Sequence, residues 1–303
     1  MKTILIAGGS GFLGKVLIEH FKVKMDRIYV LSRTKSKTVG NVDYLYWDGK
    51  TIGTWSTYLD RADILINLAG KSVDCRYTEK NKSLILSSRI DATRVLGLAL
   101  KQCENPPKIW LNSSTATIYR HSLDQQMEEV NGEIGQGFSV DVATTWEQEF
   151  FKHELLKTRQ VSLRTSIVLG QNGGAFPPIK RLAYAGLGGK QGDGQQWVSW
   201  IHEKDFARSI EHIINDPTLI GPINLVSPTP IRNKDLMQKT RFHLRMPFGI
   251  PLPKKMLQLG AKFIGTETEL ILKSRNVIPG KLLKHNFTFY YPNLDRALIN
   301  LLS

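Results

Sequence analysis

Short apolar runs alternate with helical patterns through the first two thirds of the chain. The runs are four or five residues long and rich in branched side chains, which is typical of buried strands, and they cover residues 3–7, 27–31, 43–47, 63–67, 108–112, 161–164 and 223–226. Segments with apolar residues three or four apart predict helices at residues 12–22, 79–102, 142–157, 203–215, 233–243 and 254–264. This alternation predicts an α/β fold, a Rossmann-type doubly wound parallel sheet covered by helices on both faces.

The pattern changes near residue 227. Prolines cluster in "SPTPI" and "MPFGIPLPKK", and short helical patterns follow them. Upstream, the segment "AGLGGKQGDGQQW" at 185–197 is dense in glycine, which predicts a long flexible loop. We therefore predict a large domain at 1–226 and a smaller, mainly helical lobe at 227–303, to which residues 170–200 contribute.

Composition places the chain among globular proteins. Of its 303 residues, 41% are hydrophobic and 22% are charged, and no apolar run approaches the ~20 residues of a membrane helix. The two cysteines, Cys75 and Cys103, stand in no metal-binding or redox spacing. We expect reduced thiols, no metal, no membrane span and a cytoplasmic location.

The formal charge of +14 is concentrated late in the chain, where residues 227–303 carry 13 Lys and Arg against 4 Asp and Glu. Such an excess can attract acidic surfaces, nucleic acid, membranes or anionic substrates, or it can be a solvated basic face. The basic residues are scattered, and no nucleic-acid-binding module is visible. The solvated face is therefore the favoured interpretation, and no nucleic-acid partner is expected.

A glycine-rich turn follows the first predicted strand and opens the first predicted helix. In "GGSGFLG", Gly8 permits a tight turn, Gly11 lets the backbone approach a pyrophosphate, and Gly14 lets helix and strand pack closely. The helix N-terminus offers N–H groups and a partial positive charge to the phosphates. Strand, turn and helix together predict a dinucleotide-binding site in the large domain, which makes the smaller lobe the candidate substrate lobe.

The second predicted strand ends without the acidic residue that usually grips the ribose 2′-hydroxyl of NAD. Its end reads "YVLSRTKSK", which places Ser32, Arg33 and Lys35 there. A carboxylate would repel a 2′-phosphate, whereas a guanidinium can pair with one through two hydrogen bonds. The sequence therefore predicts NADP(H), with a solvated basic turn as the alternative.

These residues resemble the short-chain dehydrogenase/reductase (SDR) superfamily in its extended, epimerase-like form. "GGSGFLG", "NLAG" (67–70) and "LNSSTATIY" (111–119) fall in the order and spacing of that family. The strings "RYTEKNKSLILSSRIDATRVL", "TTWEQ", "RTSIVLG", "QQWVSWIHEKD" and "FYYPNLDRAL" are similar to those of one atypical branch, an uncharacterised nucleoside-diphosphate-sugar epimerase-like group with a short C-terminal domain of its own.

The resemblance implies roles for particular residues. Asp48 would approach the adenine, Thr115 would face the nicotinamide, and the cofactor would contact Gly8, Ser10, Gly11, Phe12, Leu13, Gly14, Ser32, Arg33, Lys35, Asp48, Leu68, Ala69, Gly70, Arg89 and Ser113. A structural ion pair is the alternative role for Arg89. The resemblance also implies a small substrate of sugar-nucleotide type, and a homodimer formed through helices 79–102 and 142–157.

The catalytic pair of the superfamily is absent from its usual place. That chemistry uses Tyr-x-x-x-Lys, in which the tyrosine transfers a proton and the lysine lowers the tyrosine pKa and binds the ribose. Counting from Thr115 brings Phe138 to the tyrosine place and Val142 to the lysine place. Phenylalanine carries no transferable proton and valine carries no charge.

Other side chains could replace this pair. Tyr119 is the candidate acid, with substrate or packing contact as its alternative role, and His202 could hold a proton with a near-neutral pKa or brace the helix that starts beside it. Arg76 and Tyr77 could face the substrate, with a surface charge as the alternative for Arg76. Trp200 is a candidate wall of the pocket or a core residue.

Three hypotheses follow, and the third is association of the basic tail with nucleic acid or with a membrane surface. The first is an NADP(H)-binding oxidoreductase or epimerase-like enzyme that acts on an unknown small substrate. The second is a dinucleotide-binding sensor or partner-docking protein without turnover, which the loss of the tyrosine and lysine favours.

Glu147, in "TTWEQ", is interpreted as a solvated or capping residue.

Overall fold

The computed structural model describes residues 2–258, 267 and 269–303. Eight strands form one sheet in the order β11-β7-β6-β5-β1-β2-β4-β3, and all neighbours are parallel except β3 and β4. In chain order these strands are β1 (Thr3–Ala7), β2 (Arg27–Ser32), β3 (Lys37–Val39), β4 (Val42–Tyr46), β5 (Ile64–Asn67), β6 (Ile109–Thr115), β7 (Arg159–Thr165) and β11 (Gly221–Leu225). The predicted doubly wound parallel sheet is confirmed.

Helices cover both faces of the sheet, and short strands lie beyond it. The helices used below are α1 (Phe12–Phe21), α2 (Glu79–Gln102), α3 (Phe138–Phe151), α4 (Phe176–Tyr184), α5 (Glu203–Asn215), α6 (Asn233–His243), α7 (Glu269–Leu272), α8 (Gly280–Lys284) and α9 (Leu294–Leu302). Two short strand pairs join β8 (Ile167–Leu169) to β10 (Trp200–His202) and β9 (Trp197–Val198) to β12 (Ile231–Arg232).

Alternate residues of β1 point into two hydrophobic cores. Ile4 and Ile6 pack with α1 and α5 on one face, and Leu5 and Ala7 pack with α2 on the other. This is the period-two alternation of a strand that is buried on both sides. A third, smaller core joins α4, β10, α6 and α9 through Phe176, Trp200, Leu236, Leu294, Leu298 and Leu301.

The C-terminal segment is shared between the small core and the main body. Phe287 and Phe289 belong to the core of the large sheet. The buried carboxylate of Asp205, near the start of α5, accepts backbone hydrogen bonds from Tyr290 and Tyr291 at 2.9 and 2.8 Å. The end of the chain is therefore fastened to the large sheet as well as to the smaller lobe. The boundaries 1–226 and 227–303 stay a prediction.

Several predicted elements are corrected in detail. Helix α3 covers Phe138–Phe151 rather than 142–157, because Gly137, with φ of 101°, starts it earlier and the chain leaves it near Lys152. Within 254–264, residues 254–258 are helical and 259–264 lie outside the described residues. The glycine-dense segment 185–197 forms backbone hydrogen bonds with Ile250 and Leu252, so it is tied to the lobe along much of its length.

Candidate functional site

The glycine turn between β1 and α1 contains two glycines that the fold itself requires. Gly8 has φ of 74°, and a Cβ there would lie 2.8 Å from the backbone of Ala69. A Cβ on Gly14 would lie 2.2 Å from the carbonyl oxygen of Gly9. Gly11 differs, because the nearest described atom to a Cβ there is the Gly8 carbonyl oxygen at 3.9 Å. The exposed Gly11 therefore leaves open space at the helix N-terminus, and its contact with a phosphate stays a prediction.

The side chains of the first helical residues of α1 are fixed by packing against the rest of the protein. The Phe12 ring lies against the chain after β8, where a Cβ on Gly173 would come within 2.2 Å of it. Leu13 packs against the core of the sheet. Ser10 and Gly11 are left exposed at the turn.

The end of β2 lies beside this turn. The Gly8 N–H donates to the carbonyl of Leu31 at 2.9 Å. Ser32 is buried, with its hydroxyl 2.7 Å from that of Thr34, whereas Arg33 and Lys35 are exposed. Two cations therefore stand next to the glycine turn, where the ribose of a bound adenosine would be expected from the resemblance.

Asp48 follows β4 at the same edge of the sheet. Its carboxylate is exposed and closes its own turn, accepting from the backbone N–H groups of Lys50 and Thr51 at 2.8 and 2.9 Å and from the Thr51 hydroxyl at 2.7 Å. These bonds fix the orientation of the carboxylate beside the cleft. Its contact with adenine stays a prediction.

Buried amides organise the ends of β5 and β6. The register aligns Asn67 with Asn112, and the Asn67 side-chain amide donates to the Asn112 oxygen at 2.7 Å. The Asn67 oxygen accepts the Ala69 N–H at 3.0 Å, which fixes the turn after β5. Thr93 on α2 accepts from Asn67 and from the Trp146 indole, at 3.2 and 2.9 Å. Sequence reasoning missed Asn112 and Thr93, although an asparagine within an apolar strand was the available signal.

Arg89 braces the segment after β5 from α2. Its guanidinium donates to the carbonyls of Lys71 and Ile85 at 3.0 and 2.9 Å and lies over the Trp146 ring. A Cβ on Gly70 would come within 3.2 Å of the guanidinium carbon. Burial lowers the pKa of Arg89 to about 10. Arg89 thus supports the backbone of Leu68, Ala69 and Gly70, and its contact with cofactor stays a prediction.

The end of β6 presents hydroxyl groups at the same edge. Thr115 is half-buried, and its hydroxyl accepts the Thr117 N–H at 3.2 Å, capping a single 3-10 turn. Ser113 is also half-buried, and its carbonyl accepts from Asn112 at 2.8 Å. These two residues therefore border the cleft that the sheet edge and α1 define.

Behind this strand end lies a buried ion pair. Glu147 of α3 binds Arg164 of β7 through two hydrogen bonds of 2.9 and 2.7 Å, and it also accepts from the hydroxyls of Ser114 and Ser162. Burial alone would raise the pKa of Glu147, but the bonds and charge of Arg164 outweigh burial and lower it. The interpretation of Glu147 as solvated or capping is wrong.

Tyr119 completes the buried network. It is 0% exposed. Its hydroxyl donates to the Asn224 side chain and accepts from Arg164, both at 2.9 Å. Burial raises the pKa of Tyr119. The hydroxyl is thus occupied inside the protein, and this geometry supports the packing contact that was the alternative role for Tyr119.

His202 and Trp200 are core residues. The Nδ1 atom of His202 accepts the Lys204 N–H at 3.1 Å and caps α5, while its ring stacks on Tyr291 with centroids 3.8 Å apart. Burial lowers the pKa of His202 to about 4, so the expected near-neutral pKa is wrong. The Trp200 indole is fully buried and donates to the carbonyl of Thr229. Both belong to the packing beside α5 and the small core.

Tyr77 contacts Phe138, the residue that counting from Thr115 brings to the tyrosine place. Its ring packs edge-on against Phe138, with centroids 5.0 Å apart. Burial, with the charges of Glu269 and Glu267, raises the pKa of Tyr77. Arg76 forms an ion pair of 3.5 Å with Glu267. Val142 is buried.

A parallel sheet whose first turn opens onto a helix N-terminus, with hydroxyls at the end of β6, defines a Rossmann protein of the SDR type. The chain belongs to the NAD dependent epimerase/dehydratase family, whose family model matches residues 4–225. A domain of unknown function (DUF1731) matches residues 252–301.

Relatives of full length share this family. The epimerase family protein YfhF of Bacillus subtilis (strain 168) is 33% identical over 99% of this chain and 98% of its own. Epimerase family protein SAR0825 of Staphylococcus aureus (strain MRSA252) is 31% identical over 100% of both chains. The predicted family resemblance is therefore confirmed.

Two solved structures share the architecture closely. Human epimerase family protein SDR39U1 (isoform 2), crystallised with NADPH, superposes with a TM-score of 0.87 at 27% identity, over 99% of this chain and 98% of that one. A nucleoside-diphosphate sugar epimerase from Corynebacterium glutamicum gives a TM-score of 0.79 at 27% identity, over 99% of this chain and 57% of that one.

Two kinds of feature were not found in the described part of the chain. Among residues 2–258, 267 and 269–303, no three His, Cys, Asp or Glu side chains gather as a metal-binding group. None of the helices within those ranges has the length and apolarity that crossing a membrane requires.

Proposed function

We propose that this protein binds NADP(H) and uses it as an oxidoreductase or epimerase on a small substrate of sugar-nucleotide type. The observation that carries the proposal is the pairing of an open glycine turn with two exposed cations, Arg33 and Lys35, at the end of β2. The similar human protein crystallised with NADPH supports the same choice of cofactor.

The residues at the sheet edge fit a dinucleotide. A diphosphate would be held by the backbone around Ser10 and Gly11, and a 2′-phosphate by Arg33 and Lys35. Asp48 and the Leu68–Gly70 backbone would line the adenosine half, and Ser113 and Thr115 the nicotinamide half. When the dinucleotide is bound, its nicotinamide would supply or accept a hydride.

Tyr77 is our candidate for the proton-holding residue of the substrate site. The phenol is half-buried, packs on Phe138 and has a raised pKa, so it stays protonated near neutral pH and can donate a hydrogen bond to a substrate oxygen. Thr115 would orient that oxygen from the end of β6. The similarity to a nucleoside-diphosphate sugar epimerase supports a sugar nucleotide as the substrate class.

The cofactor choice is tested by titrating purified protein with NADPH and NADH. We expect Arg33→Ser to weaken NADPH binding by about 10–100-fold, as the loss of a charge-assisted bidentate contact does, with little change for NADH. Lys157→Ser is the matched control, because Lys157 is exposed and lies with Asp63 and Lys108 at the opposite edge of the sheet. Equal loss for both cofactors would refute the assignment of Arg33 to the 2′-phosphate.

A non-catalytic sensor or docking protein is the second candidate, favoured by Phe138 and Val142 in place of the tyrosine and lysine. Incubation with NADPH and NADP⁺ and a panel of carbonyl compounds and sugar nucleotides separates the two. Nicotinamide absorbance reports net redox turnover, and product analysis reports epimerisation, in which the hydride returns to the substrate. Tight NADPH binding without any product across the panel would favour the sensor.

A further inference from the structure

Two segments of the smaller lobe have no acidic residues. Residues 172–192 and 236–266 contain nine Lys and Arg and no Asp or Glu. The described residues 180–190 and 241–256 of these segments are called the basic apolar face below. Such a one-sided charge distribution gives a local positive potential that the rest of the chain does not cancel.

The two parts of this face are joined by the backbone. The Gly189 N–H donates to the Ile250 carbonyl at 3.2 Å, and the Ile250 N–H donates to the Gly186 carbonyl at 2.8 Å. Arg241 donates to the carbonyl of Gly188, and the Phe248 ring packs on Gly186, where a Cβ would lie 3.3 Å from it. The two segments are therefore in contact in the folded chain, although they are far apart in the sequence.

Large apolar side chains project from this surface between the cations. The exposed fractions are 55% for Tyr184, 76% for Phe242, 60% for Phe248, 51% for Ile250 and 54% for Met256. The exposed cations beside them are Arg181, Lys190, Arg245, Lys254 and Lys255. Single exposed apolar residues need no explanation, but aromatic and aliphatic groups concentrated among cations mark an interaction site.

We propose that the basic apolar face docks onto the surface of a membrane that contains anionic phospholipids. Headgroups of negative charge complement the cations, and the upper acyl region accepts phenyl and aliphatic side chains. Nucleic acid offers the charge but no apolar phase for Ile250 and Met256. The adjacent carboxylate of Asp295 is already paired with Lys239 and His243, so it does not oppose docking. The proposal is independent of the cofactor and of turnover.

Sedimentation of the purified full chain with vesicles tests this proposal. We expect binding to vesicles of phosphatidylcholine and phosphatidylglycerol in equal amounts, no binding to phosphatidylcholine alone, and weakening with added salt. Replacing Lys254 and Lys255 together by Gln should weaken binding by about fivefold for each charge removed. Lys157→Gln is the control for charge.

The apolar contribution has its own test. Phe242→Ser combined with Phe248→Ser should lower binding to the anionic vesicles, whereas Leu156→Ser, at a fully exposed apolar side chain outside this face, should not. Phe248→Trp should give a blue-shifted emission with these vesicles and none with duplex DNA. Only variants whose melting temperature equals that of the wild type are compared. If the double variant Phe242→Ser with Phe248→Ser melts at a lower temperature, Phe248→Gln alone takes its place.

Three results would overturn the proposal. The first is a full chain that stays in the supernatant with anionic vesicles at low salt. The second is equal weakening by Lys157→Gln and by the Lys254 and Lys255 pair. The third combines two observations: duplex DNA at equal phosphate concentration displaces the protein from vesicles, and the emission of Phe248→Trp does not shift with vesicles. Together they would make the face a general polyanion site.

Discussion

Glu147 and Arg164 show what single residues contribute behind the site. Their ion pair is buried and holds Ser114, one residue before Thr115, in place. Sequence reasoning interpreted Glu147 as solvated because the partner lies in a strand 17 residues further on, where helical spacing carries no information. A carboxylate within an otherwise apolar helix face is ambiguous until its partner is known.

Glu147→Gln should destabilise the protein by about 3–5 kcal/mol at pH 7, because Arg164 would be left buried without its counter-charge. The pKa of Glu147 is lowered in the folded state, so its stabilisation is complete above the unfolded value near 4.5 and is lost as the pH falls through the folded value. Urea unfolding should therefore show a difference from wild type that shrinks below pH 4.5. Exposed Glu104→Gln is the control, and a difference under about 0.5 kcal/mol at pH 7 would contradict the pair's role.

The two tyrosines near β6 should respond differently to loss of the hydroxyl. Tyr119→Phe removes the donor to the Asn224 side-chain oxygen and one acceptor of Arg164, which keeps its bonds to Glu147, and should cost about 1–3 kcal/mol of unfolding free energy. Tyr77→Phe should leave stability nearly unchanged and lower kcat, without affecting NADPH affinity, for whichever substrate the panel identifies. Full activity of Tyr77→Phe would remove Tyr77 as the proton-holding residue.

At the scale of elements, the glycine turn could be predicted from the sequence, whereas the residue that caps helix α5 could not be predicted with the same certainty. The turn depends on local spacing after a strand, which a sequence shows directly. The N-cap of α5 is a histidine, a residue that favours no particular helix position, so its bracing role was only one of two interpretations. The structure favours the bracing role, because the His202 side chain is fully buried and caps α5.

The glycines of the turn offer a matched pair of substitutions. Gly14→Ala places a methyl group 2.2 Å from the Gly9 carbonyl oxygen, so it should lower the melting temperature markedly by forcing α1 away from β1. Gly11→Ala meets no such neighbour and has an ordinary φ of −76°, so the melting temperature without cofactor should change little. NADPH affinity should nevertheless fall in Gly11→Ala. Unchanged affinity there would indicate that the phosphate does not approach this turn.

His202 should make stability depend on pH. Its folded pKa of about 4 lies below the ordinary 6.5, so the unfolded chain binds more protons between these values and unfolding free energy rises with pH across that window. One such group contributes a slope of at most about 1.4 kcal/mol per pH unit. His202→Asn keeps a capping side chain and should flatten the profile between pH 4 and 6.5 relative to wild type. Parallel profiles would show that His202 is not the group responsible.

At the scale of the whole molecule, the sequence predicted the parallel sheet and the order of its main helices, because each apolar run is long enough to identify. Strands β3, β8, β9, β10 and β12 were not predicted, since they are two or three residues long, and the last four pair with distant partners. Two polar networks, one through Asn112 and Thr93 and the other through Arg164, were also missed, because their members come together only in the folded chain.

The attachment of Tyr290 and Tyr291 to Asp205 has a consequence for a nicked chain. Phe287 and Phe289 are inserted in the main core. If a protease cuts once in the exposed proline-rich stretch around Pro247, the two fragments should therefore stay associated through these noncovalent contacts. Gel filtration should then show one peak of unchanged size, although a denaturing gel shows two bands. Only urea or guanidinium should part the fragments.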